Sequence, residues 1–152
     1  MKGNIEIELD EPSRLILQAL QADARLSFNQ LAKQVGLSAP AVADRVRRLE
    51  EAGVIRGYRA IVDGERLGWQ ISAMARLTCS GDRYQAVKAL CRELPEVREC
   101  HHVTGAACFH LKIMASSVHH MEQVIERLRG IGSVVSSVVL STPVQGKPLA
   151  PP

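Results

Sequence analysis

Aromatic residues are scarce in this chain, with two Phe, two Tyr and one Trp among 152 residues, so aliphatic side chains must supply the packing. The 46% of hydrophobic residues still suffices for one ordinary domain or two small ones. No apolar run is long enough to cross a bilayer, and the opening MKGNIEIELDE is polar and acidic, unlike a secretory leader. A cytoplasmic protein with no membrane partner is expected. C-x-x-C spacing is also missing. The four cysteines (Cys79, Cys91, Cys100, Cys108) sit inside regular hydrophobic patterns, where reduced, buried thiols are expected rather than a disulfide framework. No residue set asks for a cofactor or a metal.

Overall charge is small as well, at +3, and alone decides nothing about partners. Its distribution does. Residues 1–24 hold two Lys/Arg against five Asp/Glu, whereas Arg25–Ala60 holds seven Lys/Arg against three acids. Such a local basic footprint is what contact with phosphates requires.

Inside that footprint lies SFNQLAKQVGLSAPAVADRVRR, Ser27–Arg48. Ser27 and Gln30 have capping-box spacing, and Phe28, Leu31, Ala32 and Val35 recur on one helical face. Gly36 ends that helix where a positive φ costs nothing, Leu37 plugs the corner, and Ser38 with Pro40 opens a second helix. This is a helix-turn-helix. On the second helix Val42, Val46 and Leu49 point inward; Pro40, Ala41, Asp44 and Arg48 point outward, with Arg45 on the flank and Arg47 on the far side. Outward residues of that helix would enter a DNA major groove. The competing reading is an ordinary helical hairpin with solvated arginines, but the caps, the glycine corner and the arginines agree on the first.

A further helix precedes the motif, capped by Asp10 with Pro12 in its first turn, and turns Ile16, Leu17, Leu20 and Ala24 inward. After Gly53, VIRGYRAIVD reads as a short wing or hinge strand, and Gly64–Gly68 marks a linker. The expected domains are therefore 1–63 for the helix-turn-helix with its hinge strand, 64–142 for a second domain, and 143–152 for a flexible proline-rich tail. The second domain repeats itself: Tyr84, Val87, Cys91, Leu94 and Val97 recur 34 residues later as Val118, Met121, Ile125, Leu128 and Ile131. An extended segment precedes each helix (ISAMARLTC and ACFHLKIMA), which gives an α+β, ferredoxin-like βαββαβ sandwich. Two helices cover only one sheet face. In VVSSVVL both alternating sets contain apolar residues, so the uncovered face is expected to meet a second copy.

This order of parts, with the strings LSAPAVADRVRRLEEAGVIRGYRAIVD, RLG and LPEVRECHHVTG, resembles the Lrp/AsnC family of "feast/famine" transcription regulators over roughly Leu9–Thr142. The resemblance implies a winged helix-turn-helix joined to a RAM-type domain. It implies a dimer, or an octamer built as a tetramer of dimers, that binds double-stranded promoter DNA and responds to a small-molecule effector. It also implies DNA-facing roles for Ser38, Ala39, Pro40, Arg45 and Arg48; with Ser27, Ala41 and Asp44 these form the candidate DNA-binding set. The candidate effector-binding set is His102, Val103, Thr104, Gly105, Ala106, Ala107 and Cys108. There the chain departs from the family: after Val-Thr, relatives typically read Gly-Asp-x-Asp, and this chain reads Gly105, Ala106, Ala107, Cys108. Both carboxylates that usually help hold the ligand are gone.

If the hairpin between the second and third strands turns at Gly105 and Ala106, Val103 opposes Cys108, His101 opposes His110, and Glu99 opposes Lys112. That register would gather His101, Cys108 and His110 on the face away from the helices, and place Cys100 and His102 on the other. No ligand spacing supports a metal there, and interface packing is the simpler reading. His119 and His120 read as helix surface. The enzyme alternative is a tetrapyrrole (siroheme-type) decarboxylase of the same fold, with His101 or His102 as proton donor. Against it stand the intact helix-turn-helix and the lack of any recognisable catalytic set.

Overall fold

The computed structural model describes residues 9–150. They form two compact units, the first made of the described residues on either side of Val62–Pro143 and the second of Val62–Pro143 itself. In the first, α1 (Glu11–Ala22), α2 (Phe28–Val35) and α3 (Ala39–Glu51) share one small core. Asp10 caps α1 by accepting from the Ser13 N–H at 3.0 Å, and Pro12 sits in the first turn, where its missing N–H leaves no helical bond unmade. Ile16, Leu31, Ala32, Val42, Val46 and Leu49 are buried together, closed over by Leu17, Leu20, Val35 and Leu37. This is the expected inward set with two exceptions. Ala24 lies in the turn beyond α1 and is exposed, and Phe28, at the first position of α2, stays 46% exposed. Both line an open cavity of about 430 Å³ with Leu20, Leu26 and Tyr58. Three short helices close one core, and residues at their ends are left on its rim.

The hinge strand expected over Val54–Asp63 does not form. A strand needs a neighbour to take its N–H and C=O groups. Here the Val54 and Ile55 amides instead donate to the Leu49 carbonyl at 2.9 and 3.1 Å, closing the end of α3, and among the described residues no strand pairs with Ile61 or Val62, which are exposed. The proline-rich tail is also not wholly loose. The Leu149 N–H donates to Gln21 Oε1 at 2.8 Å and its carbonyl accepts from Gln21 Nε2 at 2.9 Å, a two-way bond to α1 that composition does not reveal.

The second unit runs β1 (Ile71–Thr78), α4 (Tyr84–Glu93), β2 (Val97–His102), β3 (Phe109–Ala115), α5 (Val118–Arg129) and β4 (Ser133–Val138). The sheet order is β2-β3-β1-β4 with every neighbouring pair antiparallel, the βαββαβ topology read from the sequence. Alternation places Ala73, Ala75 and Leu77 of β1 and Phe109, Leu111, Ile113 and Ala115 of β3 against the helices, all at most 1% exposed. The repeat supplies the helical half of this core through Val87, Cys91, Leu94, Met121, Ile125 and Leu128. Gly132 brings the start of β4 close to β1: a Cβ there would stand 2.5 Å from the Thr78 carbonyl oxygen.

The uncovered face carries Met74 and Val135, 46% and 53% exposed, among Arg76, His110 and Lys112. It is more mixed than the valine run alone suggests, because Val134 turns into the core and Val138 lies opposite Ala73 on the helix side. The β2–β3 register is the expected one: His101 opposes His110, and Glu99 opposes Lys112 with 3.6 Å between their charged groups. Cys108, however, does not join the two histidines. Its N–H donates to the Leu77 carbonyl at 2.9 Å while Leu77 already faces Phe109, so two successive residues oppose one. That irregularity breaks the alternation and turns the Cys108 sulfur toward Cys79 and Tyr84, beside the core.

Candidate DNA-reading helix and effector loop

The helix-turn-helix is held by local bonds that the sequence specifies. Ser27 N–H donates to Gln30 Oε1 at 2.8 Å and Gln30 N–H to Ser27 Oγ at 3.3 Å, completing the capping box of α2. Gly36 turns the corner at φ 70°, and Ser38 Oγ accepts from the Ala41 N–H at 3.4 Å to start α3. Ser27, Ser38, Pro40 and Arg48 are exposed, and Ala39, Ala41, Asp44 and Arg45 are half-buried. The candidate DNA-binding residues other than Ser27 therefore lie on α3 or, in the case of Ser38, cap it, and Ser27 caps the helix before it.

Their charges are already engaged. Arg48 Nη2 lies 2.6 Å from Asp44 Oδ2, while Arg47 reaches both Asp44 and Glu51. One carboxylate thus holds two guanidinium groups. The Arg47 hydrogen bond, and after it the Arg48 charge, holds the Asp44 carboxyl below the usual carboxylate range. Arg45 is not a merely solvated flank. It reaches across to α1, 2.6 Å from Asp10 Oδ2 and 3.4 Å from Ser13 Oγ. Ser13, with Arg45 adding to it, keeps Asp10 below its ordinary range. The sequence reading missed this tie because the partners lie 35 residues apart, outside any helical period.

The loop between β2 and β3 is closed by the Val103 N–H donating to the Cys108 carbonyl at 3.0 Å, with Gly105 at φ 109°. Thr104, Gly105 and Ala106 form an exposed tip, and Val103 and Ala107 are half-buried. Thr78 Oγ1 donates to the Ala106 carbonyl at 3.4 Å. His102 stacks on Phe109 with ring centroids 4.9 Å apart and meets Tyr84 edge-on at 4.8 Å. Of the seven candidate effector residues, then, His102 and Cys108 are turned onto Tyr84 and the other five form the loop. None offers a carboxylate.

A second polar cluster escaped the sequence reading. His120, expected on the helix surface, receives the Ser116 N–H on Nδ1 at 3.3 Å and sets Nε2 2.9 Å from Glu96 Oε1, and its ring tilts over Trp69 with centroids 6.2 Å apart. Burial pushes the Glu96 carboxyl up, but a backbone hydrogen bond, His120 and Arg127 together bring it below its ordinary range.

A capped helix-turn-helix with arginines on its second helix, in one chain with a separate α+β domain, defines a DNA-binding transcription regulator. The comparisons narrow the class. Residues 9–56 match the winged helix-turn-helix DNA-binding model, and residues 72–149 match the Lrp/AsnC ligand binding domain. The chain is 34% identical over 135 residues to the HTH-type transcriptional regulator LrpC of Bacillus subtilis, covering 89% of this chain and 94% of that one. It is 40% identical over 134 residues to the leucine-responsive regulatory protein of Rhizobium meliloti, covering 86% of each. Among solved structures, that of B. subtilis LrpC superposes with a TM-score of 0.86 at 34% identity over 90% of this chain and 97% of that one. A complex of the Neisseria meningitidis regulator NMB0573 with L-Met superposes at 0.88 with 28% identity, over 93% and 96%. The chain belongs to the Lrp/AsnC family of transcription regulators.

Among the described residues no group of three or more His, Cys, Asp or Glu is arranged to hold a metal ion, and no helix is long and apolar enough to cross a membrane.

Proposed function

We propose that this regulator reads duplex DNA with α3 in the major groove, using Ser38, Ala39, Pro40, Ala41, Asp44, Arg45 and Arg48, while Ser27 at the start of α2 contacts phosphate. The observation that carries this reading is the capped α2–Gly36–α3 corner, which presents a helix N-terminus and the exposed Arg48 together. Binding then exchanges one partner for another: Arg48 leaves Asp44 for a phosphate or a guanine edge. The protein acts as a homodimer joined through its second domain, with Met74 and Val135 of the open sheet face at the contact, and the resemblance to the family extends this to an octamer. Two-fold symmetry requires roughly palindromic operators with half-sites about one helical turn, or a small multiple, apart. Footprinting of sites drawn from a genomic binding map tests the spacing; half-sites with no regular separation overturn it. A monomer at micromolar concentration by light scattering overturns the dimer.

The second domain takes a small-molecule effector at the loop Val103–Cys108 and His102. The structural likeness to a regulator in complex with L-Met supports an amino acid as the ligand class. The missing carboxylates argue that ordinary free amino acids bind weakly here, since alanine has no acceptor side chain and cysteine only a weak one for a ligand ammonium. Calorimetry against the twenty amino acids is expected to find no tight binder to the parent and a gain in affinity on Ala106→Asp with Cys108→Asp. A tight, stoichiometric binder to the parent overturns this part of the reading and leaves the DNA-binding part untouched.

A further inference from the structure

Among the described residues the four cysteines fall into two neighbouring pairs, Cys79 with Cys108 and Cys91 with Cys100. The two pairs are unlike. Cys91 is buried against the core of the second unit, and that burial, with Cys100 beside it, pushes its thiol up to about 12. A thiol held protonated is a poor nucleophile. Cys79 and Cys108 are both half-exposed, at the end of β1 and just before β3. The Cys108 sulfur is the hub of this corner. Its S–H donates to the Cys79 carbonyl oxygen at 3.2 Å, and the sulfur accepts from the Cys79 N–H at 3.5 Å and from the Tyr84 hydroxyl at 3.6 Å.

The Cys79 N–H first and the Tyr84 hydroxyl after it favour the ionised form and, against the carbonyl and burial, which favour the protonated thiol, hold the Cys108 thiol below the ordinary cysteine range. Cys79 differs: burial first, then the adjacent Cys108, push its thiol up, with Asp82 adding to that and Arg83 opposing it. An ionisable, half-exposed thiol whose sulfur lies against a second half-exposed cysteine is the arrangement found where a reactive cysteine is served by a resolving one. The irregular start of β3 that turns Cys108 away from His101 and His110 is what brings its sulfur against Cys79.

We propose that Cys108 and Cys79 form a hydroperoxide-reactive dithiol, Cys108 being the sulfur oxidised first and Cys79 the one that resolves it to an intramolecular disulfide. In the first step the Cys108 thiolate attacks one oxygen of the hydroperoxide; the S–O bond forms, the O–O bond breaks, and the departing oxygen takes up a proton to leave as water or an alcohol. Cys108 is oxidised to a sulfenic acid and the peroxide is reduced. In the second step Cys79, giving its proton to solvent, attacks the Cys108 sulfur; the S–S bond forms, the S–O bond breaks, and hydroxide leaves and is protonated to water. Tyr84 is a positioning residue that stabilises the attacking thiolate. Both sulfurs adjoin the loop assigned above to the effector, but the chemistry rests on the dithiol alone and stands whether or not that assignment does.

The test is to treat the reduced full-length protein with one to two equivalents of hydrogen peroxide and map its cysteines by mass spectrometry. A Cys79–Cys108 cross-linked peptide, lighter by two hydrogens, is expected. Cys79→Ser should trap Cys108 as a sulfenic acid that dimedone captures, and Cys108→Ser should abolish both products. Tyr84→Phe, which keeps the ring against Phe109 and His102, should slow the oxidation, and the double variant Cys91→Ser/Cys100→Ser should react at the parental rate. Circular dichroism on each variant separates lost reactivity from lost fold. Oxidation of Cys100 ahead of Cys108, or a folded Cys79→Ser protein whose Cys108 takes no dimedone, overturns the proposal.

Discussion

Replacing Arg45 and Arg48 by alanine, singly and together, separates two tasks that α3 combines. Arg48 is 68% exposed and its partner, Asp44, is on the same helix, so its loss leaves the helices joined as before and the melting temperature unchanged. Arg45 is 31% exposed and ties α3 to the cap of α1 through Asp10 at 2.6 Å. As a solvent-screened pair that tie contributes about 0.2–1 kcal/mol, which in a small domain corresponds to a fall of roughly 1–8 °C in melting temperature for Arg45→Ala. DNA binding should respond to both. Each arginine that neutralises a phosphate contributes about 0.9 to the slope of log affinity against log salt, so the double variant should lose about 1.8 of slope per recognition helix. Between 50 and 200 mM salt the parent's advantage over it should then shrink about twelvefold per recognition helix, or roughly 150-fold for a dimer that engages both half-sites. Fluorescence anisotropy on an operator duplex at several salt concentrations measures this, and calorimetric melting measures the tie. Parallel salt dependences for parent and double variant would show that neither arginine meets a phosphate. A melting temperature for Arg48→Ala as low as that of Arg45→Ala would refute the division of roles.

Gly36→Ala should cost about 1 kcal/mol, because an added Cβ meets nothing within 4 Å and only the φ of 70° is strained. Gly132→Ala forces a Cβ to 2.5 Å from the Thr78 carbonyl and should cost more, about 1–3 kcal/mol of overpacking; denaturant melts of the two variants check the order. Leu111→Ala, emptying a fully buried site in β3, should cost about 2–5 kcal/mol on the same assay. Glu96 has its carboxyl pKa lowered in the fold, so it stabilises the protein above the ordinary Glu value of 4.5, and that contribution fades as pH falls through the folded value. Glu96→Gln should therefore be less stable than the parent at pH 7, with the gap closing as pH falls below the ordinary value of 4.5 and through the lowered one; a gap that stays constant throughout an acid titration from pH 7 would remove this account.

The helix ends, the sharp corner and both amphipathic repeats were legible in the sequence because each depends on residues within about one turn or one strand of each other. Asp10, Ser27, Gly36 and Ser38 act on amides two to four positions away, and the alternation in FHLKIMA is enough to say which β3 side chains face the helices. Even the β2–β3 register followed from a turn at Gly105 and the Glu99–Lys112 charge pair. What escaped were contacts between residues distant in the chain. Arg45 looked like a DNA contact and nothing more, until α1 brought Asp10 to it. His120 looked like surface, until the approach to β2 placed Glu96 under it. Strict alternation puts Cys108 on the histidine face, and one irregular residue opposite Leu77 sends it to Cys79 and Tyr84 instead. Periodicity and capping are properties of a backbone and its near neighbours, so the sequence by itself determined the helices, the four sheet strands and their order, but not that Val54–Asp63 stays without a strand. Which charges are paired and which thiols meet depends on where separate elements come to rest, and that only the tertiary structure decided.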